Sequence, residues 1–407
     1  MEAIVLDGDQ RPALAITRSL GKRGIRVTVG AETRPSLASC SRFCAGSFEY
    51  PSPYQDPEGF FQAVLARTRG IRQAVLLPVT DVAVSEILKR RGEFAEGIAI
   101  PFDGFDKYSL VSDKAWLVSQ CRTLGLPVPG SVLSTDYENR EDVIVAAKAL
   151  GFPLVVKPNL SRIRTETGWI GTRVRYARDE GELRDILSSE LFSKVPFVLQ
   201  ERVQGPGVGI FLLMKDGVVL ARFAHRRLRE KPPSGGVSVL SESIEPPAAA
   251  LDAATRLLAG VRWNGVAMVE FKIDERGGVP RILEVNARFW GSLELAVSAG
   301  VDFPYLLFRM ANGERVGEST GYRVGMKVRW ELGDLDHLWI RLFRNPAGQS
   351  LPAGSPSRPS VLVNFVADSF RRSVRNEVLR LQDARPFLHE LGRYVRDVVA
   401  PHPGSNP

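Results

Sequence analysis

The sequence predicts an α/β protein with a small parallel α/β domain at its N-terminus, followed by a longer region with a different pattern of strands and helices. Near the N-terminus, apolar runs alternate with helical patterns, as in strand–helix–strand units. Further along, apolar runs end in charged side chains, and glycine turns separate them. The 407 residues, 44% hydrophobic and 25% charged, have the composition of a folded protein and suffice for two or three domains.

Residues 1–110 are predicted to form a Rossmann-like domain with a parallel sheet. AIVLDG (3–8) is a predicted strand, residues 12–22 a helix and IRVTVG (25–30) a second strand, and AVLLPVTD (74–81) continues the series. The GxGxxG fingerprint is absent after the first strand, where DGDQRPA stands. A dinucleotide site is therefore not expected in this domain.

Residues 111–315 have a different pattern, with an amphipathic helix after Ser112 and a series of strands. FPLVVKP (152–158) is a predicted strand followed by a polar turn with two glycines. Residues 208–230 predict a hairpin with Asp216 and Gly217 at its tip. KPPSGGVSVLSES (231–243) is predicted as a loop.

Acidic side chains lie on two neighbouring predicted strands, VAMVEFKID and RILEVNARF. Strand alternation places every second residue from Ile282 to Arg288 on one face, and every second residue from Leu283 to Phe289 on the core face. Antiparallel pairing would bring Glu270 near Glu284 and Asn286. Two carboxylates and an amide oxygen suit Mg²⁺. A polar face shared with solvent or with salt bridges is the alternative.

Two lysines favour the metal interpretation. Lys157 ends a predicted strand, and Lys114 opens a helix, where free N–H groups attract anions. Two ammonium groups, a glycine turn and a carboxylate pair form a set suited to a triphosphate. The sequence lacks the GxxxxGK[ST] motif and the HRD and DFG signatures, which excludes a P-loop protein and a protein kinase.

The order of these motifs resembles the ATP-grasp superfamily over residues 112–310, especially its carboxylate–amine ligase or carbamoyl-phosphate-synthase-like branch. The matching motifs in order are DK (113–114), FPLVVKP, the glycine turn (168–171), LQERV (199–203), VAMVEF and LEVNAR (283–288). The resemblance implies an ATP-grasp fold, in which two α+β subdomains grip ATP, preceded by the Rossmann-like domain. Residues 316–407 would be a C-terminal extension with a basic helix.

The resemblance also implies roles for individual residues. Lys114 and Lys157 would contact the phosphates, and the turn with Gly168 and Gly171 would close over ATP. The adenine would lie against a hinge containing Gln200, Glu201 and Val203. One or two Mg²⁺ (or Mn²⁺) ions would be held by Glu270, Glu284 and Asn286. Arg288 would steady the transferring phosphoryl group or the acyl phosphate.

Two departures from the family pattern concern the nucleotide. An acidic residue that binds the ribose is often found about seven positions after the hinge glutamate, where this chain has Gly207 and Val208. Ribose contact would then come from elsewhere or be weak. The turn TETGWIG has fewer glycines than usual, and its Trp169 would either cover the nucleotide or be an exposed or packed indole.

The basic segment HRRLRE, which starts at His225, has two interpretations. It is either a solvated hairpin or an anion-binding element over the substrate. Arg226 and Arg227 are better candidates than His225, because guanidinium groups match carboxylate and phosphate oxygens. Alternation sends the two arginines to opposite faces, so only one of them is expected to point inward.

The implied function is a ligase that uses ATP to activate a carboxylate as an acyl phosphate, which an amine then attacks. The alternatives are a carboligase or kinase-like enzyme with another acceptor, and a catalytically weak nucleotide-binding regulatory subunit. Small-molecule acid and amine substrates are the expected partners. Dimers are common in the superfamily, so a homodimer stays open.

The remaining features exclude several classes. No apolar window is long enough for a membrane span, no signal peptide is present, and three cysteines make no disulfide framework, so a cytoplasmic protein is expected. The net charge of +8 is scattered, and no nucleic-acid module accompanies it. Residues 345–360 are predicted to be a linker or an exposed loop. Residues 370–399 are predicted to be helical with arginine-rich faces, either packed or at a membrane surface.

Overall fold

The N-terminal domain is a five-stranded parallel sheet with helices around it. The structure, a computed structural model, describes residues 2–233, 235–319, 321–343, 355–371 and 373–399. The strand order is β3-β2-β1-β4-β5. Both faces are covered, so the strands are continuous apolar runs such as AIV and AVLL, fully buried. The elements are β1 (Glu2–Val5), α1 (Arg11–Gly21), β2 (Arg26–Ala31), β3 (Gly46–Glu49), α2 (Pro57–Thr68), β4 (Ala74–Leu77), α3 (Asp81–Lys89), β5 (Ile98–Ala99) and α4 (Phe105–Ser112).

The second unit is a four-stranded antiparallel sheet with its own small core. Its strand order is β10-β7-β11-β6, and a two-stranded hairpin, β8–β9, projects from it. Side-chain caps start three of its four helices, as when Asp113 accepts from the backbone N–H groups of Ala115 and Trp116. The elements are α5 (Lys114–Leu124), β6 (Ser131–Leu133), α6 (Arg140–Lys148), β7 (Leu154–Pro158), β8 (Arg162–Arg164), β9 (Trp169–Gly171), β10 (Arg175–Ala177), α7 (Glu180–Ser188), α8 (Glu190–Lys194) and β11 (Phe197–Glu201).

The third unit is a seven-stranded sheet in the order β16-β15-β12-β13-β14-β17-β18. The predicted hairpin is present, and Asp216 (φ 51°) and Gly217 (φ 81°) form its tip. The elements are β12 (Gly207–Lys215), β13 (Val218–Lys231), β14 (Val237–Ser243), α9 (Ala248–Gly260), β15 (Gly265–Ile273), β16 (Pro280–Asn286), α10 (Leu293–Ala299), α11 (Phe303–Ala311), β17 (Lys327–Arg329), α12 (Glu331–Phe343), α13 (Arg358–Phe370), β18 (Val374–Asn376) and α14 (Arg385–Val399).

A β-bulge corrects the predicted facing of β16. Glu270 pairs with Glu284 and Phe271 with Ile282, so Leu283 has no partner of its own. Ile282 is consequently buried, and Leu283 lines the cavity described below, the reverse of simple alternation. Beyond the bulge the alternation holds, since Val285, Ala287 and Phe289 are buried.

Two other predictions are wrong. The predicted loop at 231–243 contains strand β14, which lies inside the sheet between β13 and β17. The predicted helix at 370–399 is helical only to Phe370 and again from Arg385, because residues 374–376 pair in parallel with β17. Strand β18 has only three residues and depends on a partner distant in sequence, which local propensity does not reveal.

Strands β17 and β18 come from the predicted C-terminal extension but belong to the third sheet. The linker predicted at 345–360 lies largely outside the described residues, although Arg358–Ser360 open α13. Within the described ranges, no helix is long and apolar enough to span a membrane.

Candidate active site

The three units and the C-terminal helices enclose one large cavity of about 1260 Å³. Ten of the thirteen predicted site residues line it. The predicted residues that line it are Lys114, Lys157, Gln200, Glu201, Val203, Arg227, Glu270, Glu284, Asn286 and Arg288. Arg226, Gly168 and Gly171 are not part of this lining.

The two predicted metal-binding glutamates lie side by side on β15 and β16. Glu270 and Glu284 are direct cross-strand partners, and Asn286 pairs with Met268 one step along. The Lys114 ammonium lies 3.0 Å from Glu284 Oε1, and Ser161 donates to the same oxygen at 3.0 Å. Burial disfavours ionisation of Glu284, but Lys114 and Lys157 outweigh it and hold its pKa below the ordinary value.

Lys157 lies at the end of β7 and donates to Gln200 Oε1 at 2.8 Å. Gln200 in turn donates to Ser131 Oγ at 3.0 Å, which fixes the amide's orientation. Burial is the main reason that the pKa of Lys157 falls to about 8, and nearby Lys114 lowers it further, while Glu284 opposes the shift. The cavity therefore holds an ammonium group without a directly bonded carboxylate among the described residues.

Of the two candidate arginines, Arg227 points inward. Its guanidinium lies 2.6 Å from Glu270 Oε2 and 3.0 Å from Glu230 Oε1. Burial lowers its pKa, but the two carboxylates outweigh burial and raise it. Arg226 projects from the other face, where it pairs with Glu242 at 2.6 Å and is half exposed. This opposite facing is what strand alternation predicts.

Arg288 joins the cavity to the N-terminal domain. It grips Asp81 with two bonds, Nε to Oδ1 at 2.7 Å and Nη2 to Oδ2 at 2.9 Å, and also donates to Asn286 Oδ1 at 3.1 Å. Burial raises the pKa of Asp81, but Arg288 outweighs it and lowers the pKa overall. The guanidinium predicted to steady a phosphoryl group thus already carries a carboxylate partner.

The predicted hinge connects β11 to β12. Glu201 accepts from the backbone N–H of Gly130 at 2.9 Å, and its own N–H donates to Gly130 O at 2.9 Å, so it ties two strands together. Val203 follows and lines the cavity. Beside the hinge, Glu275 also lines the cavity, and its N–H donates to Gln204 O at 3.0 Å.

The glycine turn contacts the N-terminal domain. Trp169 donates from its backbone to Tyr54 O and from its indole to Glu86 Oε1, both at 2.8 Å. A Cβ on Gly168 would lie 2.1 Å from Tyr54 O, and the φ of Gly168 is 154°, so glycine is required there. The indole is therefore packed against this domain, one of the two alternatives for Trp169, and nucleotide contact by Gly168 and Gly171 stays a prediction.

His225, set aside in favour of the arginines, is fully buried and lines the cavity. Its Nδ1 lies 3.1 Å from Ser292 Oγ, and its Nε2 has no hydrogen-bond partner among the described residues. Burial and the neighbouring Arg227 hold its pKa well below the ordinary value, so the ring is neutral.

Comparisons with known proteins show which proteins the chain resembles. A family model described as "ATP-grasp in the biosynthetic pathway with Ter operon" matches residues 193–333. A chloroplastic biotin carboxylase of Arabidopsis thaliana is 28% identical over 232 residues, which cover 52% of this chain but only 40% of that protein.

Solved structures resemble most of the chain. The biotin carboxylase domain of the Hydrogenobacter thermophilus 2-oxoglutarate carboxylase has a TM-score of 0.63 at 15% identity, covering 80% of this chain and 73% of the other. For the Staphylococcus aureus N5-carboxyaminoimidazole synthetase the TM-score is 0.59 at 13% identity, with 80% of each chain covered. The chain has the ATP-grasp fold. The predicted fold class is thereby confirmed.

Three residues that contact the predicted ATP-grasp site were missed. Asp81 pairs with Arg288. Ser161 bonds both Lys114 and Glu284. Glu275 lines the cavity beside the hinge. A signal existed for Asp81, because it follows a buried parallel strand and ligand sites lie at the carboxyl ends of such strands. The position of Ser161 depends on how the β8–β9 hairpin folds back, which sequence patterns do not show.

The oxygen donors fit the divalent ion that the ATP-grasp resemblance implies. Glu270 and Glu284 offer carboxylates from adjacent strands and Asn286 an amide oxygen, the hard ligands that Mg²⁺ prefers. Among the described residues, no group of three or more His, Cys, Asp or Glu side chains could hold a metal ion. The third protein ligand beside Glu270 and Glu284 would therefore be the amide oxygen of Asn286.

Proposed function

We propose that this protein is a Mg²⁺-dependent ligase that uses ATP to activate a carboxylate as an acyl phosphate for attack by an amine. The observation that carries the proposal is the meeting of Glu270 and Glu284 with Lys114 and Lys157 at one cavity. Relatives named as biotin carboxylase and N5-carboxyaminoimidazole synthetase support a reaction of this class. The aligned part is less than half of the curated relative, so the activity itself is a proposal.

The residues of the cavity would mainly position groups and offset charge. Lys114 and Lys157 would bind the phosphates as point charges, and the hinge with Gln200, Glu201 and Val203 would hold the adenine edge. Glu270, Glu284 and Asn286 would hold Mg²⁺, which supplies charge neutralisation for phosphoryl transfer when bound. Gly168 and Gly171, in a turn that contacts the N-terminal domain, would help exclude water from the acyl phosphate.

Arg227 and Arg288 would orient the reacting acid. Each is fixed by a carboxylate, Glu270 and Asp81 respectively, so each guanidinium is held in place before substrate arrives. A held donor needs little reorganisation during reaction, which is the condition for strong electrostatic stabilisation.

The decisive test is release of ADP and phosphate that depends on both an acid and an amine. In this assay Lys157→Ala or Glu284→Ala should lower turnover by about 10²–10³-fold, as losses of single charge-stabilising groups do. Lys148→Ala and Glu190→Ala are matched controls, because both side chains are exposed on helices outside the cavity. Unchanged turnover in the two cavity variants would refute the proposal.

A carboligase that takes bicarbonate as its acid is the second candidate. The Hydrogenobacter structure is described with MgADP and bicarbonate, which favours this variant of the same chemistry. Bicarbonate-dependent ADP release without any organic acid would support it. Trapping with hydroxylamine separates the two, because an organic acyl phosphate yields a stable hydroxamate.

Location and assembly are also proposals. The three cysteines are free, which suits a reducing compartment, so we place the protein in the cytoplasm. The Hydrogenobacter domain is described as a dimer, which supports a homodimer here. Light scattering at micromolar concentration tests the assembly.

A further inference from the structure

The cavity extends beyond the nucleotide and metal residues into a region walled by the C-terminal helices. Residues from α12, α13 and the segment before α13 line this distal end, among them Arg341, Pro356, Val361 and Asn364. None of the predicted nucleotide-binding residues lies in this part of the chain. The distal end is therefore available to a substrate.

Arg341 is the unusual residue of this wall. It is 9% exposed, and its Nη2 donates to the backbone carbonyl of Pro356. No described carboxylate lies within ion-pair distance of it. The eleven undescribed residues at 344–354, RNPAGQSLPAG, contain no Asp or Glu, so they offer no side-chain carboxylate either.

The other arginines that line this half of the cavity provide the contrast. Each pairs with a carboxylate: Arg11 with Glu377, Arg227 with Glu270, Arg229 with Asp334 and Asp368, and Arg371 with Asp368. Another cation, Arg358, acts on Arg341 instead, and burial together with Arg358 lowers the pKa of Arg341. Buried guanidinium groups are costly unless an anion compensates them.

The position of Arg341 sets the length of the ligand. His337, one helical turn before Arg341, contacts the carbonyl of Glu230 at 2.7 Å. Glu230 lies three residues along β13 from Arg227, which touches Glu270. Three strand residues and one helical turn place Arg341 roughly 10–15 Å from the predicted metal site.

We propose that Arg341 binds an anionic group of the acid or amine substrate, remote from the reacting carboxylate. The substrate class is thus a molecule with a second carboxylate or a phosphate about 10 Å or more from its reacting end. This inference rests on the proposed ligase function, because it assumes that the reacting end lies beside Lys114 and Lys157. It makes the C-terminal helices part of the substrate site.

The probes are α,ω-dicarboxylates from octanedioate to dodecanedioate, each compared with the monocarboxylate of equal length. Calorimetric titration would use the full chain saturated with Mg²⁺ and the non-hydrolysable analogue AMP-PNP. We expect the dicarboxylate that spans the two ends to bind at least about tenfold tighter than its monocarboxylate, as a charge-assisted contact allows.

Arg341→Gln should abolish this preference while changing the affinity for AMP-PNP less than twofold. Arg341→Lys should keep part of it, since the charge remains but the planar fork is lost. Arg256→Gln, on the exposed surface of α9 and outside the cavity, is the matched control and should behave as wild type.

Melting temperature separates a binding role from a structural one. If Arg341 serves an anion, removal of its uncompensated charge should leave the melting temperature of the ligand-free protein equal or higher. A lower melting temperature with an unchanged dicarboxylate preference would overturn the proposal, as would equal binding of mono- and dicarboxylates at every length. Failure to bind AMP-PNP would count against the proposed function, whereas the dicarboxylate comparison without nucleotide would still test Arg341.

Discussion

At the residue scale, Lys157 has a charge that depends on its ligand. Burial holds the pKa of its ammonium group at about 8 in the free protein. An anionic phosphate beside it favours the charged form and raises that pKa again. Binding of a nucleotide would therefore change the protonation of this one side chain.

We expect ATP binding to take up a proton between about pH 8 and pH 9, because free Lys157 is partly neutral there and bound Lys157 is charged. Titration calorimetry in buffers of different ionisation enthalpy measures this uptake. Lys157→Arg keeps a permanent charge at the same position and should remove the uptake. Equal uptake in both proteins would show that Lys157 is not the responsive group.

Glu275 is our candidate for the ribose contact that is missing after the hinge. It lines the cavity, and its Cγ would be 3.5 Å from a Cβ placed on Gly205. Glu275→Gln should weaken binding of ATP by about tenfold or more, because a hydrogen bond to a charged group contributes about 1.5–3 kcal/mol. Binding of 2′,3′-dideoxy-ATP should not change, and an equal loss for both nucleotides would contradict the assignment.

At the element scale, the β8–β9 hairpin connects the second unit to the N-terminal domain. Besides the two bonds of Trp169, Arg162 donates to the Tyr54 hydroxyl at 2.9 Å and Lys89 lies 5.0 Å from the centre of the Trp169 ring. These contacts depend on the close approach of Gly168 to Tyr54 O. The hairpin and this domain thus form a joint between the second unit and the N-terminal domain.

Gly168→Ala should break this joint, because a Cβ would clash with Tyr54 O and the positive φ costs about 1–3 kcal/mol in a non-glycine residue. Faster amide hydrogen exchange across residues 162–171 would report the release. Gly171→Ala is the control, since its Cβ would meet only the flexible end of Arg162 at 3.3 Å. Unchanged exchange in Gly168→Ala would mean that the joint tolerates the methyl group.

The elements also show what the sequence could and could not reveal. Glu270 and Glu284 were predictable as neighbours because a short turn joins their strands, so pairing is local. The bulge at Leu283 was not, since it is defined by the partner strand. Strand β18 was mistaken for a helix because it lies in an arginine-rich segment and is only three residues long, and only pairing with β17 makes it a strand.

At the scale of the whole molecule, the C-terminal segment ties the first domain to the third sheet. Arg18 of α1 bonds Asp383 at 2.8 Å and the carbonyl groups of Glu377 and Val378 at 3.0 and 2.9 Å. Arg11, which also lines the cavity, pairs with Glu377. The predicted boundary at residue 315 stays a prediction about folding units, but the segment beyond it holds the site together.

Glu377 gives this connection a pH dependence. Burial is the main cause of its raised pKa of about 7, which Arg11 only partly offsets, and its Oε1 has no hydrogen-bond partner among the described residues. The unfolded carboxyl titrates near 4.5. Between about pH 7 and pH 4.5 the folded state therefore binds more protons than the unfolded state, and this group stabilises the fold increasingly as pH falls.

Glu377→Gln should remove that contribution, because the amide is neutral at every pH. Relative to the variant, the wild type should gain melting temperature as pH falls from about 8 to 5, and lose that gain on return to pH 8. Comparing each pH with the variant cancels other groups such as Asp7, whose buried carboxyl also has a raised pKa of about 6. A constant difference between the two proteins would show that Glu377 stays ionised beside Arg11, and that the connection between the domains is an ordinary ion pair.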